Sequence, residues 1–93
     1  MRGTRHTWDM ACFVYVLAAR NKDGRLVTYV GWTLDLDRRL AEHNGQGKRG
    51  AKSTRGRVWV LLYAEKHKSR KRAMAREYIL KKDKLFRARL RSP

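Results

Sequence analysis

Two short β-rich apolar runs, separated by Asn21-Lys22-Asp23-Gly24, constrain this chain more than any other feature. The first, Ala11 to Ala18, contains Cys-Phe-Val-Tyr-Val-Leu, and the second runs from Leu26 to Trp32. Asp-Gly supplies the positive φ that a hairpin turn needs, so the two runs are expected to fold back on each other as antiparallel strands. If the turn centres on Lys22-Asp23, Tyr15 comes opposite Val30, or nearly opposite Tyr29. A centre shifted by half a residue puts both phenols on one face, because strand side chains alternate. Taken alone, two strand tyrosines are simply good strand formers and cross-strand partners. Gly31 beside the strand end lets a backbone or a ligand come close.

The remaining segments complete a small α+β pattern. A helix is expected from about Asp35 to His43, ended by Asn44-Gly45, and then a glycine-rich basic loop from Gln46 to Arg57. Val58 to Tyr63 reads as a third strand. Ser69 to Arg91 reads as helical, with Ser69 as N-cap and a break near Asp83. The order β-β-α-β-α-(α) implies a three-stranded, mainly antiparallel sheet flanked by helices. Residues 1–10 are polar and unpatterned and are expected to form a flexible tail, in which Met10 is an alternative start. Residues 11–93 then make one domain, long enough for a single thin core.

Charge narrows the partners. Lys+Arg number 24 against 8 Asp+Glu, a net charge of +16. Such a chain attracts polyanions and releases their counterions. An anionic membrane could exploit the same charge, but no helix shows the broad apolar face that surface binding needs. Cys12 is the one cysteine, which excludes an internal disulfide, and with His6, His43 and His67 it cannot make zinc-finger spacing. No run is long or apolar enough for a signal peptide or a span, so a reducing cytoplasm is the expected setting.

Helical geometry singles out three polar residues. With Leu36 at zero and about 100° per residue, Leu40 falls at roughly +40°, His43 at roughly −20°, Arg39 at roughly −60° and Arg38 at roughly 200°. His43 therefore lies on the buried stripe with Arg39 at its edge, while Arg38 points away towards a solvated pair with Glu42. In structural terms His43 is a satisfied core histidine and Arg39 caps the sheet edge; in chemical terms they are a titratable group and a cation side by side. Glu77 is the one carboxylate between Glu65 and Asp83. On the same wheel it shares a face with Ala73, Met74 and Leu80, which turns it towards the domain. It is either half of a helix pair with Lys81 or the isolated acid that a Mg²⁺ site uses together with waters and phosphate oxygens.

Val14-Tyr15-Val16 and Tyr29-Val30-Gly31, a hairpin apart, resemble the two halves of the motif that names the GIY-YIG nuclease superfamily. Asp37-Arg38-Arg39-Leu40-Ala41-Glu42-His43-Asn44 is similar to its Arg-Arg-x-x-x-His-Asn helix. Gly50 to Arg57 resembles its basic loop, and Arg76-Glu77-Tyr78 its metal-site helix. The likeness runs from about Phe13 to Lys82. It extends to the stand-alone bacterial members and to the nuclease domain of the eukaryotic structure-specific endonuclease. The first motif keeps only its tyrosine, with Val14 in place of isoleucine and Phe13 in place of glycine. The zinc module that follows the eukaryotic domain is missing, so no scaffold partner of that kind, and no obligate protein partner, is expected.

The resemblance implies a metal-dependent endonuclease hydrolysing DNA phosphodiesters, structure- or single-strand-selective and acting in DNA repair or processing. It implies that Glu77 holds one Mg²⁺ or Mn²⁺, that Tyr15 is the general base, and that Tyr29 and His43 tune its proton. Arg39 would clamp the scissile phosphate, for which a planar fork suits better than an ammonium. Lys48, Arg49, Lys52, Arg55 and Arg57 would bind flanking nucleic acid. A phenol with a pKa near 10 needs nearby cations to serve as a base at neutral pH. The alternative is a non-catalytic basic nucleic-acid-binding protein. That reading explains the charge but not the five polar residues in family order.

Overall fold

The computed structural model describes residues 11–45 and 57–91. Its elements are β1 (Cys12–Arg20), β2 (Leu26–Thr33), α1 (Leu36–His43), β3 (Val60–His67), α2 (Arg70–Lys82) and α3 (Lys84–Arg91). The sheet order is β2-β1-β3, with both pairs antiparallel. This is the α+β architecture and element order expected from the sequence. The expected tail (residues 1–10) and the basic residues Lys48, Arg49, Lys52 and Arg55 lie outside the described residues.

The hairpin turns where Asp-Gly stands, but one half-residue further on than a Lys22-Asp23 centre. Arg20 faces Leu26, so the symmetry point is Asp23. The Gly24 N–H donates to the Asn21 carbonyl at 3.0 Å and the Asn21 N–H to the Arg25 carbonyl at 2.8 Å. Gly24 takes φ +86°, a left-handed conformation costly for other residues. The odd five-residue loop sets the register: Tyr15 pairs with Gly31, and Tyr29 with Leu17. Both phenols still share a face, as diagonal neighbours and not as a direct pair.

β1 is central and is buried on both faces, which is why its apolar run is nearly unbroken. Cys12, Val14 and Val16 pack with Val30 against Ala73 and Leu80 of α2, with Phe86 and Leu90 of α3 alongside. Tyr15, Leu17 and Ala19 point the other way, towards Trp59, Tyr29, Leu36 and Leu40. The helices thus cover opposite faces, α1 on one and α2 with α3 on the other.

The third strand departs from expectation at both ends. Val58 is 80% exposed and Trp59, though buried, precedes the strand, which runs on through Glu65 and Lys66 to His67. The apolar run stops at Ala64, but Tyr63, His67 and Arg76 all bond to Glu65, so the polar stretch is satisfied inside the sheet. A register shift opposite Val16/Leu17 accommodates one extra residue in β3. The helix boundaries follow their caps. Asp35 accepts from the Arg38 N–H, and Ser69 from that of Arg72. Asp83 closes α2 and accepts from the Phe86 N–H of α3, which is the expected break. Met74, expected on the inward stripe, is 51% exposed, so that stripe narrows to Ala73, Glu77 and Leu80.

Candidate active site

Tyr15 is held by what its partner strand lacks. Its ring lies across Gly31, where an added Cβ would stand 2.6 Å from Cζ and closer still to the hydroxyl. Any side chain at position 31 would displace the phenol, so the glycine is required for close approach and not for its backbone angle. Tyr15 is 2% exposed.

α1 brings a histidine to that phenol. Nε2 of His43 lies 3.0 Å from the Tyr15 hydroxyl, and His43 is 2% exposed, as its place on the helix stripe requires. Tyr29 closes the cluster, its ring centroid 4.8 Å from that of His43 and 6.4 Å from that of Tyr15. Burial and the Arg39 charge lower the His43 pKa, so the ring is neutral at neutral pH. Burial pushes the Tyr15 pKa up to about 12; Arg39 beside it pulls the value down, while Tyr29 and Glu77 push it up. The phenolate is therefore not preformed. What stands ready is a neutral phenol bonded to a neutral imidazole.

Arg39 connects this cluster to solvent. Its guanidinium donates to Glu42 Oε1 at 2.8 Å, and Arg38 Nε lies 3.4 Å from the other Glu42 oxygen. The Arg39 side chain is 26% exposed and that of Arg38 71%. Both border an open pocket of about 340 Å³ lined also by Trp32, Thr33, Leu34, Asp35 and Glu42. Only one of the two, Arg39, also reaches Tyr15.

Glu77 approaches from the other face of the sheet. It lies on α2, half-buried, with Lys81 Nζ 3.5 Å from Oε2, so the helix pair exists. Its charge is still felt at Tyr15. No group of three or more His, Cys, Asp or Glu that could hold a metal occurs among the described residues. A lone carboxylate fits the Mg²⁺ pattern, in which phosphate oxygens and waters complete the shell, and does not fit an all-protein cage. Arg57, the one described member of the basic loop set, is tied inward: Nε donates to Asn21 Oδ1 at 3.0 Å and its guanidinium lies 6.0 Å from the Trp59 ring centroid.

Two contacts went unseen in the sequence. Asn44, in the sequence a helix stop and the last residue of the Arg-Arg-x-x-x-His-Asn segment, accepts from the Trp59 N–H at 2.6 Å and donates to its carbonyl at 3.0 Å. This two-way amide bond fastens the end of α1 to the chain entering β3, with Trp59 against Tyr29. Its only local signal was an Asn directly after the buried histidine. The Arg39–Glu42 pair was hidden by the better i,i+4 spacing of Arg38.

Among the described residues, no helix is long and apolar enough to cross a membrane. No solved structure matches the chain. The UPF0213 protein of Streptococcus pneumoniae serotype 4 is 47% identical over 77 residues, covering 82% of this chain and 72% of that one. A UPF0213 protein of Clostridium perfringens is 39% identical over 71 residues, covering 75% and 70%. One from Halobacterium salinarum is 50% identical over 54 residues, covering 57% and 68%. The model of the GIY-YIG catalytic domain matches residues 11–89, a span that takes in both tyrosines, α1, the Glu77 helix and nearly all of α3. The chain belongs to the GIY-YIG family of nuclease domains.

Proposed function

We propose that this protein is an endonuclease that hydrolyses DNA phosphodiesters with one Mg²⁺ or Mn²⁺ held by Glu77. The observation that carries the reading is the Tyr15–His43 hydrogen bond beside Arg39, within charge reach of an isolated carboxylate. A bound divalent cation supplies charge relief for the phosphate and for the leaving 3′ oxygen. Arg39 grips a non-bridging phosphate oxygen from the pocket edge, and Glu42 keeps its fork oriented until the phosphate arrives. Tyr15 takes a proton from the attacking water while its own passes to Nε2 of His43. This relay needs no free phenolate, which agrees with a phenol pKa pushed up to about 12. Tyr29 packs the imidazole in place. Lys48, Arg49, Lys52 and Arg55 serve the flanking backbone, with Arg57 joining them once its bond to Asn21 opens, and a role in DNA repair or processing in a reducing cytoplasm belongs to the same reading, to which the buried thiol of Cys12 is suited.

Labelled single-stranded, duplex and branched DNA, incubated with and without Mg²⁺, tests this directly. The expected result is cleavage that requires the metal and is abolished by Glu77→Gln, with nucleic-acid binding retained. Cleavage by Glu77→Gln at the wild-type rate would reduce Glu77 to the helix partner of Lys81.

A further inference from the structure

Tyr78 has no place in the core, although it follows Glu77 directly. Its side chain is 61% exposed, as is half of Met74 one turn earlier. Lys82 Nζ lies 4.5 Å from the Tyr78 ring centroid, a cation drawn to the electron-rich face of the ring. Measured from Ala73 at about 100° per residue, Glu77, Lys81, Met74, Tyr78 and Lys82 follow one another in that order around one flank of α2. Tyr78 therefore stands on the Glu77 side of the helix, and the flank climbs from the carboxylate to the ring and its lysine. Glu77 and Asp83 are the only acidic residues from Arg70 to Arg91, and the other charges there are all cationic.

An exposed ring among cations beside a phosphodiester site has the two parts that single-stranded nucleic acid requires. The ring offers a flat surface to a base, and the cations neutralise the backbone. A duplex keeps its bases stacked inside and would meet only the charges. An acidic peptide would pair with the lysines and leave the ring without a role.

We infer that Tyr78 is a stacking platform for an unpaired base of the strand that runs past Glu77. The Lys82 ammonium, now over the ring, moves onto a neighbouring phosphate when the base arrives. The direction of the strand rests on the nuclease reading, but the stacking is measurable without cleavage. The test is fluorescence anisotropy in EDTA with labelled oligo-dT, a blunt duplex of equal length and polyglutamate. Tyr78→Ala should weaken oligo-dT binding roughly 5-fold or more, the range of base–aromatic stacking. Duplex affinity should stay unchanged, and Tyr78→Phe should restore the single-strand affinity. Equal losses on oligo-dT and duplex, or no loss on either, would overturn the proposal. So would a loss confined to polyglutamate, which would assign the surface to an acidic protein. Cleavage is scored separately: a wild-type chain that cuts nothing removes the nuclease reading and leaves the stacking result standing.

Discussion

Adjacent arginines on α1 have different surroundings, and that difference is testable. Arg39 reaches Tyr15 and Glu42, whereas Arg38 meets Glu42 from a largely solvated position. Charge stabilisation at a reacting phosphate typically accounts for a few kcal/mol, so Arg39→Ala should slow single-turnover cleavage on the order of 10²-fold or more. Arg39→Lys should lose most activity too, because it keeps the charge and removes the fork. Arg38→Ala should stay within several-fold of wild type; equal damage from both alanine variants would remove the distinction. Gly31 carries the second residue-scale expectation. Its missing Cβ is the space the Tyr15 ring occupies, so Gly31→Ala should destabilise the fold by roughly 1–3 kcal/mol, the usual cost of overpacking. Urea unfolding measures this, and an unchanged midpoint would show that the ring can move aside freely.

At the scale of elements, α1 was the most legible part of the chain. Its eight residues follow a clean helical period, so the buried His43 and the edge position of Arg39 could be read from a wheel alone. The hairpin was legible in existence and face but not in register, because Asn21 to Arg25 closes as a five-residue loop and the turn residues alone do not distinguish odd from even. The charged end of β3 is not legible because Glu65 and His67 look like loop residues until His67 and Arg76 of α2 both bond to the Glu65 carboxylate. Asn44 was unreadable for a similar reason, since its partner Trp59 lies 15 residues on. The buried His43 also gives α1 a pH response. Burial and Arg39 hold its pKa below 6.5, so the folded chain takes up this proton less readily than the unfolded chain. The stability this confers is fully present above about pH 6.5 and is lost as the pH falls below it. Glu42, lowered by its Arg39 bond, contributes a separate loss only below about pH 4.5. Urea midpoints and cleavage rates should both drop between about pH 7 and pH 5, and His43→Gln should flatten the stability profile in that window. A His43→Gln profile as steep as wild type would place the titration elsewhere.

For the whole molecule, charge and topology act separately. A net charge of +16 makes binding to a nucleic acid a matter of counterion release. Affinity should fall steeply with salt, with a log–log slope of roughly −0.9 for each duplex phosphate neutralised. Titrations at several salt concentrations would show it, and indifference to salt would remove charge as the driving force. Topology bears on the proposed reacting groups instead. Tyr15 and His43 belong to the α1 face and Glu77 to α2 on the opposite face, so each half of the arrangement is anchored in a different packed cluster. A substitution that loosens α2 from the sheet lifts the carboxylate and leaves the phenol and imidazole where they were; one that loosens α1 does the reverse. Remote substitutions that silence the protein therefore divide into two classes that a cleavage assay alone cannot tell apart. The Tyr15–His43 hydrogen bond, followed by its own spectroscopic signal, sorts them.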